Sequence, residues 1–184
     1  MSIKGSITKS DYINYDEALN TGRKLLNRDK TSIFGLYIIV SINAGMRIGD
    51  VLQLTWEDLR NGEKTFREEK TGKARKVIFN ETIKDSLNAF DYREGLVFLS
   101  QKGGVFTRQQ INRKLKQVFF KKGYNISSHS LRKTFGRRVY EVSNESERAL
   151  LDLMNVFNHS SLAVTKEYLG IRQEEINDVY LRIV

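Results

Sequence analysis

The feature that most restricts the fold of this chain is a ten-residue apolar run, IFGLYIIVSI, at positions 33–42. The run is far shorter than the roughly 20 residues that a membrane-spanning helix requires. Thr31 or Ser32 is the expected N-cap of a helix here, and Gly45 is the residue expected to end it. The sequence therefore predicts a soluble protein that contains a buried helix at this position.

The chain carries an excess of positive charge. Its 184 residues include 31 Lys and Arg against 22 Asp and Glu, which gives a formal net charge of +9 and a pI of about 9.7. This balance favours a polyanionic partner such as nucleic acid, although a charged surface without that function is the plain alternative. The positive residues are spread along the chain and form no single basic amphipathic helix, which argues against an anionic membrane as the partner.

Composition also limits the chemistry. The chain has no cysteine and two histidines, so a disulfide framework and a thiolate zinc site are excluded and a transition-metal centre is not expected. An all-carboxylate magnesium site remains compatible with the composition. The first residues, MSIKGSITKSDY, lack the apolar segment of a secretory signal, which predicts an intracellular, cytoplasmic protein.

Hydrophobic periodicity predicts a mainly α domain (class α+β) with one small β-hairpin. KTFREEK (64–70) and KARKVIF (73–79) alternate like two strands around Thr71-Gly72, and LVFLS (96–100) is expected to be a short strand or extended segment. The predicted helices, apart from the one over the apolar run, cover 15–27, 47–54, 81–90 and 107–121, and another is expected to have Ser128 or Ser130 as its N-cap.

Neither a repeat nor a proline-containing linker divides the chain, so residues 1–184 are predicted to form one domain. Residues 1–12 are the expected N-terminal lead-in. Residues 171–184 have apolar positions at helical spacing and are predicted to form a C-terminal tail helix.

Arg47 and Lys70 each have two interpretations. Arg47 follows Gly45 in an apolar neighbourhood and needs an anion. That anion is either Asp50, three residues on, or a phosphate, with Asp50 holding the guanidinium in place. Lys70 at the hairpin turn is ordinarily a solvated lysine, and the alternative is an ammonium group that reaches into a DNA groove.

Two histidines mark the second half of the chain. His129 and Arg132 are three residues apart at a helix start, where they indicate either a basic face for nonspecific DNA binding or an imidazole and a guanidinium aimed at one point. His159 precedes Tyr168 by nine residues (168 − 159). A tyrosine beside the apolar segment 162–164 is ordinarily a core residue, so Tyr168 gains significance from its companions alone.

In chain order, these residues resemble the catalytic set of the tyrosine recombinase (phage integrase) family. AGMRIGDVLQLTWEDL (44–59) resembles its first arginine box, with Asp50 at the acidic position, and KTGK (70–73) resembles its hairpin lysine. HSLRKTF (129–135) resembles the second box and HSSLAVTKEY (159–168) the third. The resemblance runs from about residue 10 to residue 170, and four boxes in the family's order make it specific.

Three positions depart from the family pattern. Phe157-Asn158 stands where Leu-Gly is common, Lys133 follows the second arginine where histidine is common, and VIF (77–79) lacks a frequent proline. Family members typically also carry a separate N-terminal DNA-binding domain, and here about a dozen residues precede the catalytic domain. We therefore expect either a fragment of a longer integrase or a naturally short member without that domain.

The resemblance implies a helical catalytic domain and a site-specific recombinase that needs neither a metal nor a nucleotide cofactor. Tyr168 would attack a DNA phosphodiester to give a 3′-phosphotyrosyl link and a free 5′-hydroxyl. By analogy, Lys70 would protonate the leaving oxygen, His129 would exchange a proton with Tyr168, and the other catalytic residues, Arg47, Arg132 and His159, would bind the phosphate. The residues expected to bind DNA around the site are Lys73, Arg75, Lys133, Arg137 and Arg138.

The expected partners are double-stranded DNA and further copies of this chain. The resemblance implies a homotetramer on DNA, with the tail helix docked on a neighbour or on its own domain; off DNA, a monomer is the alternative. Two other functions stay open: a type IB topoisomerase, which reseals the same strand, and a noncatalytic DNA-binding regulator on the same fold.

Overall fold

The structure is a computed structural model, and it describes residues 10–67, 74–171 and 181. The architecture is mainly helical with one two-stranded antiparallel sheet, which confirms the predicted fold class. The elements in chain order are α1 (Tyr15–Leu26), α2 (Ser32–Ala44), α3 (Ile48–Val51), α4 (Trp56–Asn61), β1 (Glu63–Arg67), β2 (Ala74–Ile78), α5 (Glu81–Ser86) with a 3-10 turn (Leu87–Ala89), α6 (Arg108–Val118), α7 (Ser128–Val142), α8 (Glu147–Phe157) and α9 (Leu162–Leu169).

Helix α2 is the centre of the fold. Every residue from Phe34 to Ile42 is buried, and the helix contacts α1, α3, α5 and α7. It ends at Gly45, whose φ of 58° lies in the left-handed region. The predicted buried helix and its glycine end are therefore confirmed, and an all-round apolar helix is buried because it has no face suited to water.

Helices α1 and α2 pack backbone against backbone. A Cβ atom on Gly35 would lie 2.4 Å from the Leu26 nitrogen and 2.6 Å from the Gly22 oxygen. At the start of α1, the Asn14 side chain accepts hydrogen bonds from two backbone N–H groups of the first turn. The two glycines thus set the distance between α1 and α2.

Helix α7 begins one residue earlier than the sequence indicated. Its N-cap is Ser127, whose hydroxyl accepts a hydrogen bond from the His129 N–H. The prediction of Ser128 or Ser130 as the cap was wrong, because the Ser130 hydroxyl turns back to accept from the Ser127 N–H. Farther along, Thr134 bonds both backbone groups of Ile13, so the N-terminal segment is tied to this helix.

The helix predicted over 47–54 is much shorter. Only Ile48–Val51 is helical, a single turn between the extended Arg47 and a turn at Leu52. The segment 96–100 is extended, with isolated bridges from Leu96 to Thr55 and from Leu99 to Val105. Val118, predicted on the apolar stripe of α6, is 37% exposed, whereas Ile111 and Leu115 are buried.

The hairpin pairs Glu63 with Ile78 at one end and Arg67 with Ala74 at the other. Its predicted turn at Thr71-Gly72 lies outside the described residues, and so does most of the predicted tail helix. The end of the predicted lead-in is extended, with the Asp11 N–H bonded to the Asn125 oxygen.

A second apolar cluster forms where α7, α8 and α9 meet. Leu153 and Phe157 of α8 pack with Leu169 of α9 against Gly136 of α7. A Cβ atom at Gly136 would lie 2.6 Å from Leu169 Cδ2 and 2.9 Å from Phe157 Cζ. The absence of a side chain at Gly136 is therefore what lets the end of α8 approach α7.

In the part of the chain that the structure describes, none of the helices combines the length and the apolar character needed to cross a membrane.

Candidate active site

Two arginine side chains converge on one backbone oxygen. Nη2 of Arg47 and Nη2 of Arg132 each donate a hydrogen bond to the Phe157 oxygen, both at 3.3 Å. Arg47 lies at the N-cap of α3, Arg132 on the second turn of α7, and Phe157 is the last residue of α8. Carbonyl groups at a helix C-terminus have no intrahelical partner and carry partial negative charge, which attracts guanidinium groups.

Arg132 is a buried cation with a free donor. Its side chain is 5% exposed, and among the described residues its Nη1 has no hydrogen-bond partner. Burial lowers the pKa of Arg132 to about 10, with the charges of Arg47 and Arg75 acting in the same direction and Tyr168 opposing them. The guanidinium is still protonated at neutral pH, so it presents a positive charge and an unused N–H beside Arg47.

The carboxylate of Asp50 binds a different arginine from the one expected. Its Oδ2 is 2.8 Å from Nη2 of Arg75 on β2, whereas Arg47 is held by the Phe157 oxygen. The expected contact between Asp50 and Arg47 was wrong because Arg47 has extended backbone angles (φ −70°, ψ 147°), so the two side chains do not share a helical face. Nη1 of Arg75 also approaches the Val156 oxygen at 3.5 Å, which links the hairpin to the end of α8.

His159 and Tyr168 lie side by side. Their ring centroids are 5.2 Å apart at an interplanar angle of 71°. Nδ1 of His159 is 3.1 Å from Oγ1 of Thr165, a fully buried residue of α9. Asn158 makes this turn with a φ of 56°, a conformation that asparagine adopts more readily than most non-glycine residues. Asn158, which stands where the family commonly has Gly, therefore forms a left-handed end of α8.

The phenol of Tyr168 is half-buried, and it also lies close to the backbone of His129. Its hydroxyl donates to the backbone oxygen of His129 at 3.5 Å, and Nζ of Lys133 lies 5.2 Å from the centre of its ring. Burial raises the pKa of Tyr168 to about 12, although the charges of Arg132 and Arg47 oppose that rise. The phenol is therefore protonated at neutral pH.

Both imidazoles favour the neutral form. Burial, then Arg132 and Arg47, lower the pKa of His159 below 6.5. The ring of His129 reaches the surface, yet partial burial and the charges of Arg132 and Lys133 lower its pKa as well. A neutral imidazole has one nitrogen that can accept a proton. His159 therefore presents a potential base beside the phenol, and His129 carries a second one on the residue whose backbone oxygen accepts from the Tyr168 hydroxyl.

The structure thus brings together four of the six predicted catalytic side chains, Arg47, Arg132, His159 and Tyr168, and it sets the backbone of His129 beside them. Lys70 lies outside the described residues together with Lys73. Two predicted DNA-binding residues pack on tyrosine rings near the start of the described chain. Cζ of Arg137 lies 4.7 Å from the ring centroid of Tyr12, and Cζ of Arg138 lies 4.9 Å from that of Tyr15. Sequence patterns did not point to Thr165, and they marked Phe157 only as a departure from the family pattern. Among the described residues, no group of three or more His, Asp or Glu side chains lies close enough together to hold a metal ion.

Comparison with known proteins gives consistent matches. The model of the phage integrase family matches residues 18–175. A protein described as probable integrase/recombinase YoeC of Bacillus subtilis (strain 168) is 32% identical over 165 residues, which cover 85% of this chain and 86% of that protein.

Solved structures share the fold. The XerA recombinase superposes with a TM-score of 0.67 at 21% identity, covering 99% of this chain and 66% of that one. The XerH site-specific recombinase bound to a palindromic difH substrate gives 0.65 at 21% identity, covering 97% and 55%. The catalytic domain of bacteriophage HP1 integrase gives 0.58 at 17% identity, covering 88% of each chain. This chain therefore spans about two thirds of XerA and slightly more than half of XerH.

Proposed function

The chain belongs to the phage integrase family, and on this basis we propose that it is a site-specific DNA recombinase that cuts and rejoins strands through a covalent bond between Tyr168 and DNA. The observation that carries the proposal is the convergence of two guanidinium groups beside a phenol. Arg47 and Arg132 meet at the Phe157 oxygen, and Arg132 keeps an unused N–H. A phosphate has the charge and the acceptor geometry that such a pair of donors favours.

In the proposed reaction, the Tyr168 oxygen attacks the phosphorus atom, and the bond from phosphorus to the 5′ oxygen breaks. Because the phenol has a pKa of about 12, it requires a base as it attacks. His129 is the proposed base, since its imidazole favours the neutral form and its backbone oxygen already lies next to the Tyr168 hydroxyl. The departing 5′ oxygen takes a proton from Lys70, a role given by family analogy.

The arginines stabilise the charge that builds on the nonbridging oxygens. Loss of one preorganised donor of this kind typically costs about 3 kcal/mol in the transition state, which is on the order of a hundredfold in rate. His159 adds a neutral donor in the tautomer that carries its proton on Nε2, which can donate to the phosphate. In this tautomer the Thr165 hydroxyl donates to Nδ1, 3.1 Å away, rather than to the Ser161 oxygen, 3.4 Å away. Because the protein–DNA link retains the bond energy, a 5′-hydroxyl of another strand can reverse the step without a nucleotide cofactor.

We propose double-stranded DNA as the substrate and a homotetramer on DNA as the active assembly. The net charge of +9 supports the DNA partner, because counterion release from phosphates favours basic proteins. Arg75 and Lys133 lie beside the proposed phosphate position, where they would add to this attraction. Such a protein would act on DNA in the cytoplasm, and docking of its tail helix on a neighbouring protomer stays part of the proposal.

The test is incubation with nicked suicide duplexes that carry inverted repeats from the DNA flanking the coding region. The wild-type protein should form a covalent complex that survives denaturing electrophoresis and maps to Tyr168. Tyr168→Phe should abolish the complex while binding DNA within about twofold, because the hydroxyl is the nucleophile and contributes little to affinity. The matched control is Tyr124→Phe, a tyrosine that is 47% exposed and should cleave normally.

An adduct that persists in Tyr168→Phe would contradict the assignment. Relaxation of a supercoiled plasmid that lacks these repeats would favour a type IB topoisomerase, whereas strand exchange that depends on paired repeats favours a recombinase. Specific binding without any adduct from the wild-type protein would indicate a noncatalytic regulator.

A further inference from the structure

We propose that Phe157 is a positioning residue of the active site, which holds four catalytic side chains in place through its carbonyl and its ring. This inference rests on the proposed function. It concerns a residue that departs from the family pattern, since leucine is common at this position and phenylalanine stands here.

The carbonyl of Phe157 fixes the two arginines relative to each other. Arg47 and Arg132 come from different elements, and each donates to this oxygen at 3.3 Å. A carbonyl oxygen has two lone pairs, so it can accept from both guanidinium groups at once. Their remaining N–H groups are then directed to a common region, where the scissile phosphate would bind.

The ring of Phe157 contacts the other reacting groups. The Cζ atom of Arg132 lies 4.6 Å from the ring centroid. The rings of His159 and Tyr168 lie 5.3 Å and 5.4 Å away, the latter edge-on. A cation over an aromatic face is more strongly attracted when it is desolvated, as Arg132 is. A leucine side chain offers neither the electron-rich face nor the flat surface.

Phe157 is itself held firmly, as a positioning residue has to be. Its side chain is 1% exposed, and the ring of Phe135 packs on it at 6.2 Å. Gly136 leaves the space that the ring fills, because a Cβ there would lie 2.9 Å from Phe157 Cζ. The ring thus has little freedom to move, and the side chains that pack on it share that restriction.

The test compares wild-type protein with Phe157→Leu in single-turnover cleavage of a nicked suicide duplex at saturating protein. We expect Phe157→Leu to bind the duplex within about twofold of wild type and to cleave it about tenfold more slowly, since it retains apolar bulk and loses the cation–ring contact. The matched control is Phe98→Leu, another fully buried aromatic residue, which lies in the core around α2 and packs on Tyr37. This control should cleave within about twofold of wild type.

A second substrate separates positioning from a general packing defect. When a methylphosphonate replaces the scissile phosphate, the charged oxygen that the arginines would bind is gone. The defect of Phe157→Leu should then shrink to about threefold or less, because misplacement of Arg132 no longer matters. Phe157→Met, which has a longer and more adaptable apolar side chain without a ring, should behave in the same way and serves if the leucine variant does not fold.

Three results would overturn the inference: a Phe157→Leu rate within twofold of wild type, an equal defect on both substrates, or an equal defect in the Phe98→Leu control. Each of these leaves the proposed function standing, because the wild-type protein still forms its adduct. Failure of the wild-type protein to form an adduct would overturn the proposed function itself, together with this inference.

Discussion

Replacement of Gly45 by alanine should damage both the fold and the site. Gly45 has a φ of 58°, and an added Cβ would lie 2.3 Å, 2.5 Å and 2.8 Å from three ring atoms of Phe135 on α7. Ordinary contact begins at 3.4 Å, so the two elements would have to separate by about 1.1 Å (3.4 − 2.3). Arg47 follows two residues later, and Arg132 lies on the helix that would be pushed away.

The expected loss of stability is the sum of two effects. Alanine in the left-handed region costs about 1–2 kcal/mol. Overpacking against the partly buried ring of Phe135 adds about 1–3 kcal/mol. Taking about 3.5 kcal/mol as the middle of the sum, and about 2–4 °C per kcal/mol for a chain of this size, the Tm should fall by about 7–14 °C. A displacement of about 1 Å between catalytic groups should also lower the cleavage rate on the order of a hundredfold.

Thermal unfolding followed by circular dichroism measures the first effect, and single-turnover cleavage of the suicide duplex at 20 °C measures the second. Gly123→Ala is the control, because Gly123 has a φ of 84° and no atom within 4 Å of an added Cβ. That variant carries the backbone strain without the clash, so it should lose about 1–2 kcal/mol and cleave at the wild-type rate. If Gly45→Ala matched Gly123→Ala in both Tm and cleavage rate, the argument from close packing would be refuted.

Three further perturbations test other parts of the structure. Gly35→Ala should destabilise the fold by about 2 kcal/mol because backbone atoms of α1 block the new methyl group, whereas Gly22→Ala should cost about 1 kcal/mol because its nearest neighbour, 2.8 Å away, is a side-chain atom, Cγ1 of the buried Ile39 on α2; equal Tm values for the two variants would contradict this. The pKa of His159 is lower in the folded protein than its ordinary 6.5, so the stability it contributes is complete above pH 6.5 and is lost as pH falls through the folded-state pKa. Urea unfolding at pH 7.5 and pH 5 should therefore show a smaller acid-induced loss in His159→Gln than in wild type, and an unchanged loss would contradict the burial argument. Arg75→Gln and Asp50→Asn should each slow cleavage about tenfold and the double variant little more, because they break the same 2.8 Å ion pair; additive defects would show that the two residues act separately.

Those features that depend on local sequence were predictable. The apolar run of α2 and the alternating strands of the hairpin each follow from a single period, and Gly45 ends α2 because a left-handed helix end favours glycine. The order of the candidate catalytic residues pointed to the same family that the comparisons found. Local patterns thus identified the fold class and named side chains that the structure brings together.

Features that depend on tertiary contacts were not predictable. Asp50 and Arg47 have helical spacing, but the chain is extended at Arg47, and a strand 25 residues away supplies the partner of Asp50. Three serines within four residues, Ser127, Ser128 and Ser130, compete for the cap of α7, and the choice of Ser127 follows from how the hydroxyl of Ser130 turns back. The role of the Phe157 carbonyl leaves no trace in the sequence because every residue has a carbonyl, and its ring was visible only as a departure from the family pattern.

The shared carbonyl of Phe157 has a consequence for how the protein responds to ionic strength. A peptide carbonyl is a dipole, and its hydrogen bonds to Arg47 and Arg132 are partly shielded from solvent, so added salt weakens them little. A DNA phosphate is an ion, and salt competes with it directly. Rising salt should therefore release DNA from the protein while the two guanidinium groups keep their arrangement. The free protein can then bind the next duplex without rearranging these two side chains.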